Sequence, residues 1–166
     1  MHQSFSHDGC DIDNHIAFGA MIRRLVMRSV FLALTLVLGL TTAASAADYA
    51  GSISAYRRAN RMPAVKLNAK LNAMALKQAQ AMSATGSVSH SAGGSFFTRI
   101  APLKKQRAAE NIGAGFIAFA EMLKQWENSA GHRENLLMPG AKRVGVAYVD
   151  NPKSPYRRFW AMVITD

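Results

Sequence analysis

The stretch MLKQWENSAGHRENLL, Met122 to Leu137, joins an apolar helical stripe to a histidine that directly follows a glycine. Phe116, Phe119, Leu123 and Trp126 recur at spacings of three and four, which sets them on one face of a helix that must be buried. Gly131 is expected to end that helix. His132 is then either an ordinary polar residue at a helix end or a group held out for chemistry.

Toward the N-terminus, LNAKLNAMALKQAQAMSATG (Leu67 to Gly86) carries a second stripe, Leu67, Leu71, Met74, Ala75, Ala79 and Met82. Lys70, Lys77, Gln78 and Gln80 fall off it, and Gly86 closes the helix. A shorter helix is expected from Asp48, with Tyr49, Ile53 and Tyr56 on one side, stopping near Met62-Pro63. Between the long helices, Ser87 to Arg107 has Gly-Gly, Ser and Pro punctuation, predicting a loop with one helical turn near Phe96. AAENIGAGF (108–116) has the form of a short strand. VGVAYVD and RRFWAMVIT flank the turn-forming NPKSP and predict an antiparallel hairpin. Helices on both sides of a small, mostly antiparallel sheet bury every one of these faces, so the expected class is α+β, a three-layer α-β-α sandwich.

The N-terminal part is of another kind. Arg23, Arg24 and Arg28 precede the apolar run VFLALTLVLGL and the small-residue tail ending Ala44-Ser45-Ala46, the pattern of an export signal cut near Ala46/Ala47. An uncleaved anchor is the alternative, because the apolar run extends through Ala and Thr toward the ~18 residues of a spanning helix. Residues 1–20 hold three acids and no basic residue, a poor opening for a signal, which makes Met21 or Met27 a candidate start. The reading is therefore a leader over 1–46, with 1–20 open to being untranslated and 21–46 the signal peptide. A single domain follows over 47–166, exported to the periplasm or secreted.

The leader takes three basic and three acidic residues with it, so the remaining domain keeps the +10 formal charge of the whole chain. Cys10, the one cysteine, also lies in the leader, which leaves the domain without disulfides or thiolate chemistry. Of five histidines only His90 and His132 remain. HExxH, GxSxG, GxxxxGK[ST] and GxGxxG are all absent, and Ser89 and Ser91 beside His90 do not by themselves make a serine nucleophile. The basic pairs Arg57-Arg58, Lys104-Lys105, Lys142-Arg143 and Arg157-Arg158 are scattered, without the aromatic interleaving that stacks single-stranded bases, so nucleic acid is not an expected partner. A surface of this charge is drawn instead to anionic polymers or lipid headgroups. Trp126 and Trp160 lie on apolar stripes and read as core; Met62, Met74 and Met82 read as core filler.

Taken in order, ANRMPAVKLN, the lone His90 before Gly93-Gly94, Glu110-Asn111-Ile112, Trp126-x-x-Ser129 and Gly131-His132-Arg133-x-Asn135 resemble the CAP superfamily of cysteine-rich secretory proteins, insect venom allergens and plant pathogenesis-related proteins. The likeness extends over residues 50–166 and is to its bacterial, disulfide-free branch. The resemblance implies an α-β-α sandwich with an open cleft where two histidines and one or two glutamates converge, here His90, His132 and Glu110, with Asn111 and Ser129 alongside. In many eukaryotic members a second glutamate stands at the position held here by Ser129; Glu127, two positions earlier, is expected to point about 200° away around the helix. Two imidazoles, His90 and His132, would bind Zn²⁺ or another divalent metal weakly, being fewer than the three protein ligands of usual catalytic sites. Glu110 is left with three roles: third ligand, orienter of a histidine, or catalytic base. The functional expectation is a monomeric binding module with an envelope or extracellular ligand, the alternatives being a metal-assisted hydrolase using Glu110 and a lipid- or sterol-binding protein.

Overall fold

The computed structural model describes residues 41–166, so the expected leader up to residue 40 lies outside the described residues. Its elements are α1 (Thr41–Ala59), β1 (Lys66–Leu67), α2 (Ala69–Thr85), α3 (Phe96–Ile100) running into a 3-10 turn (Ala101–Leu103), β2 (Ala108–Ala114), α4 (Phe119–Asn128), α5 (Ala130–Leu136), β3 (Arg143–Asn151) and β4 (Arg157–Thr165). Strands order as β1-β3-β4-β2, and only the two-residue β1 pairs parallel, with β3. β4 is central between the hairpin partner β3 and the antiparallel β2. Among the described helices none is long and apolar enough to cross a membrane.

Strand alternation divides the core into two layers. Val144, Val146, Trp160, Met162 and Ile164 face α1, α4 and α5, where Ile53, Met122, Trp126 and Leu136 meet them. Ala147, Phe159, Ala161 and Val163 face the other way, toward Leu71, Ala75, Ala79 and Met82 of α2 and Ile100 of α3. This is the expected three-layer sandwich: side chains two residues apart on a strand share a face, and each face takes a helical stripe. Both tryptophans are fully buried, and each indole N–H finds a main-chain acceptor, Trp126 on the Ile112 carbonyl at 3.1 Å and Trp160 on that of Phe116 at 2.7 Å. β3 crosses α2 so closely that a Cβ on Gly145 would overlap the backbone of Leu71 and Asn72; only glycine permits that approach.

Several expectations are corrected. α1 is already helical at Thr41, the first described residue and upstream of Asp48, because the alanine-rich run before Asp48 has high helix propensity and carries the helix without a break. Leu67 is not in α2: it lies in β1, 40% exposed, and Asn68 caps the helix by accepting from the Leu71 N–H at 3.1 Å. Gly86 does end α2, in the left-handed conformation at φ 66°. Gln78 is buried inside the stripe, not off it, because Leu71, Ala75, Gln78 and Met82 recur at four, three and four. Arg57 is fully buried and not a surface charge: its Nε donates to the Pro63 carbonyl at 2.8 Å, and Nη1 to those of Leu136 at 2.6 Å and Met138 at 3.3 Å. Gly131 does not stop a helix. The chain breaks two residues earlier at Ser129, whose extended φ −94° and ψ 123° separate α4 from α5, and His132 lies within α5.

Candidate functional site

β2 is an edge strand, and its successive residues Glu110 and Asn111 point to opposite faces. Each face gathers one of the two histidines. On the α2–α3 side, the Glu110 carboxylate has a side chain only 1% exposed and is held from two directions. Arg99 of α3 forms a fork on it, Nη1 to Oε2 at 2.8 Å and Nη2 to Oε1 at 3.0 Å. His90 Nδ1 lies 2.9 Å from Oε1. The paired-donor geometry of arginine suits a carboxylate, and the ion pair offsets the cost of burying it.

The loop bearing His90 is fixed by the same guanidinium and by Gln78. Arg99 also donates from Nη2 to the His90 carbonyl at 3.1 Å and from Nε to that of Gly94 at 3.1 Å. Gln78 donates to the Ser89 carbonyl at 2.7 Å and accepts from the Gly93 N–H at 3.2 Å. These side chains anchor a loop that carries turns of its own, Ala92 N–H to the Ser89 carbonyl at 3.2 Å and Gly94 N–H to that of Ser91 at 2.9 Å. With Nδ1 directed at Glu110 as donor, the His90 ring is set as the tautomer whose Nε2 is free to accept. More than half of that side chain is exposed.

On the other side, Asn111 Nδ2 donates to the His132 carbonyl at 3.0 Å, and Asn135 Nδ2 donates to Asn111 Oδ1 at 2.9 Å and to the Glu110 carbonyl at 3.3 Å. Asn135 thereby satisfies an outward backbone acceptor of the edge strand that no neighbouring strand can reach. Burial pushes the His132 imidazole below its ordinary range, and charge on His90 pushes it the same way. Both effects favour the neutral imidazole, the form that binds metals or accepts hydrogen bonds. Its Nδ1 is buried without a hydrogen-bond partner among the described residues.

Ser129, at the joint between α4 and α5, lines a depression of about 500 Å³ with Phe116, Lys124 and Gln125. Because the helix breaks at Ser129, a helical rotation angle between Glu127 and position 129 does not describe their relation; Glu127 instead pairs with Lys124 at 3.3 Å. Glu110 does not pair with Arg133, which reaches back to the Glu127 carbonyl at 3.3 Å. Sequence reasoning missed Arg99 and Gln78. For Gln78 the available signal was its place in the four-three-four spacing of Leu71, Ala75, Gln78 and Met82, whereas Arg99 carries no local signal beyond its place in the helical turn at Phe96.

His90 and His132 are the candidate nitrogen donors for a metal. Among the described residues no group of three or more His, Cys, Asp or Glu side chains is placed to hold an ion. Both Glu110 oxygens are already engaged, by Arg99 and by His90.

The model of the cysteine-rich secretory protein family, CAP, matches residues 51–164, and the chain belongs to that family. An extracellular protein containing an SCP domain from Bacillus anthracis superposes with a TM-score of 0.62 at 23% identity, over 72% of this chain and 39% of that one. An outer surface protein of Borrelia burgdorferi superposes at 0.63 with 16% identity, over 70% and 87% of the two chains. The Bacillus subtilis (strain 168) protein YkwD is 46% identical over 44 residues, 26% of this chain and 17% of that protein. The chain thus matches only a minor part of the Bacillus relatives.

Proposed function

We propose that this protein is an exported CAP-type binding module. Its site at the edge of β2 presents His90 and His132 to a weakly held divalent metal, Zn²⁺ being the best match to imidazole donors, and through it to an envelope or extracellular ligand. The observation that carries this reading is the locked Glu110 carboxylate: it aims His90 Nδ1 inward at 2.9 Å and so turns Nε2 outward. The metal, when bound, supplies a Lewis-acidic anchor for an oxygen or nitrogen of the ligand. The chain's own part is to orient the two rings and keep His132 neutral.

Hydrolysis with Glu110 as base is the weaker reading. A base needs a lone pair facing the reacting water, and this carboxylate is 1% exposed with both oxygens committed. Export is supported by the signal-like leader and by fold neighbours described as extracellular or outer-surface proteins.

Calorimetric titration of the full chain with Zn²⁺ tests the site. One weak event is expected, lost in both His90→Ala and His132→Ala. Equal uptake by wild type and both variants sinks the shared site.

A further inference from the structure

At the opposite edge of the sheet, two concavities of about 500 and 450 Å³ share one lining residue, Arg143. Lys70 and Lys105 line the first; Lys66 and Lys142 line the second. Lys66 and Arg143 are direct partners in the β1–β3 pairing, with Lys142 next in the chain. Like charges directly opposed across strands cost stability, so folding alone does not favour this placement. A lysine on a short edge strand does guard against edge-to-edge pairing, which accounts for Lys66. It does not account for Arg143 on an inner strand, or for Lys70 and Lys105 on other elements.

The cluster is also only partly compensated. The side chains of Lys66, Lys70, Lys142 and Arg143 make no hydrogen bond or ion pair among the described residues, and all four are exposed. Asp166 is the acid that faces them. Its carboxyl already accepts from the Arg107 N–H at 3.2 Å, and Lys105 is tied to the Asp166 carbonyl at 2.8 Å. Arg107 adds a further positive charge, its Nη1 on the Pro139 carbonyl at 3.0 Å. Three other acids are committed elsewhere, Glu110 to Arg99, Glu127 to Lys124 and Asp150 to Arg158.

We infer that this β1–β3 edge is a second binding surface, separate from the histidine site, whose two adjoining basic concavities take successive anionic groups of one linear polyanion. The shared Arg143 sits between the two hollows and bridges neighbouring groups along the polymer. A guanidinium suits that role because it offers donors in a planar fork to more than one oxygen. Two hollows in a row select for a chain with charges in sequence over a single small anion. This surface does not depend on the metal-site reading.

Long-chain polyphosphate is the probe, with the full chain as protein and fluorescence anisotropy as readout across a salt series. In Lys70→Gln/Lys142→Gln/Arg143→Gln, binding is expected to weaken at least ~10-fold with a shallower salt dependence, since each lost contact releases fewer counterions. The triple variant Lys77→Gln/Lys124→Gln/Lys153→Gln removes the same charge from other surfaces and is expected to stay within ~3-fold of wild type. Equal weakening of both variants reduces the effect to net charge and overturns the proposal. Loss of phosphatidylglycerol-vesicle binding in the first variant with polyphosphate binding intact assigns the surface to membranes and overturns it as well. Circular dichroism checks folding, and the single variants Lys70→Gln and Lys142→Gln replace the triple should it not fold. Zn²⁺ uptake by the first variant is expected to match wild type, so the two sites fail independently.

Discussion

Arg99 and Glu110 are joined by two parallel hydrogen bonds, of 2.8 and 3.0 Å, across eleven residues of chain, and the same guanidinium reaches the carbonyl of His90. One arginine therefore holds both the carboxylate and the loop whose histidine that carboxylate orients.

Arg99→Met strands the Glu110 carboxylate in a buried position and is expected to destabilise the protein by about 3 kcal/mol. Arg99→Met/Glu110→Gln removes the stranded charge and is expected to recover much of that loss. Urea unfolding of wild type, both single variants and the double measures the coupling; additive effects would contradict the clamp. Glu110→Gln alone is expected to weaken Zn²⁺ uptake about 10- to 100-fold by releasing the His90 ring.

Arg57 ties α1 to the chain leaving α5 through the carbonyls of Leu136 and Met138. Arg57→Met leaves buried acceptors without donors and is expected to cost about 3 kcal/mol. Hydrogen exchange should then quicken first over α5, the helix that bears His132. Wild-type protection there would show that Arg57 does not hold it.

Asp150 pairs with Arg158 through two bonds of 2.6 and 2.8 Å, while the guanidinium lies 3.9 Å from the Tyr148 ring centre. The Arg158 hydrogen bond holds the Asp150 carboxyl below its ordinary range. Over the interval between folded and unfolded values the unfolded chain binds the extra proton, so stability rises with pH there. The contribution is present above about pH 4 and is lost as pH falls through the folded value. Because Asp150 is half exposed, the effect is small; thermal melts of Asp150→Asn between pH 2 and about 6 should show a flatter acid limb than wild type.

The layers of the fold were legible because their signals are local. The stripe on α2, the left-handed stop at Gly86 and the hairpin of β3 and β4 each follow from residues within one turn or one strand of each other. The two-residue β1 was not legible: Lys66 and Leu67 have no strand pattern of their own and become a strand through pairing with Arg143 and Val144. Leu67 looked like the first residue of a helical stripe because periodicity cannot mark where a cap residue such as Asn68 begins the helix. At the site, the residues His90, Glu110, Asn111 and His132 could be singled out by the order of short motifs. Their supports could not, since the Arg99–Glu110 fork depends on where a loop returns to the sheet. Arg57 misled for the same reason: beside Arg58 it reads as surface charge, yet two of its three acceptors lie 79 and 81 residues away.

The extended residue Ser129 uncouples two requirements that one continuous helix would have to meet together. Trp126 must face the sheet, and His132 must sit where Asn111 can hold its carbonyl. With a joint between them, the outer helix can roll or trade contact residues without carrying the imidazole out of line. By the same token, adding or removing one residue within α5 would swing the ring roughly 100° and leave the core almost untouched.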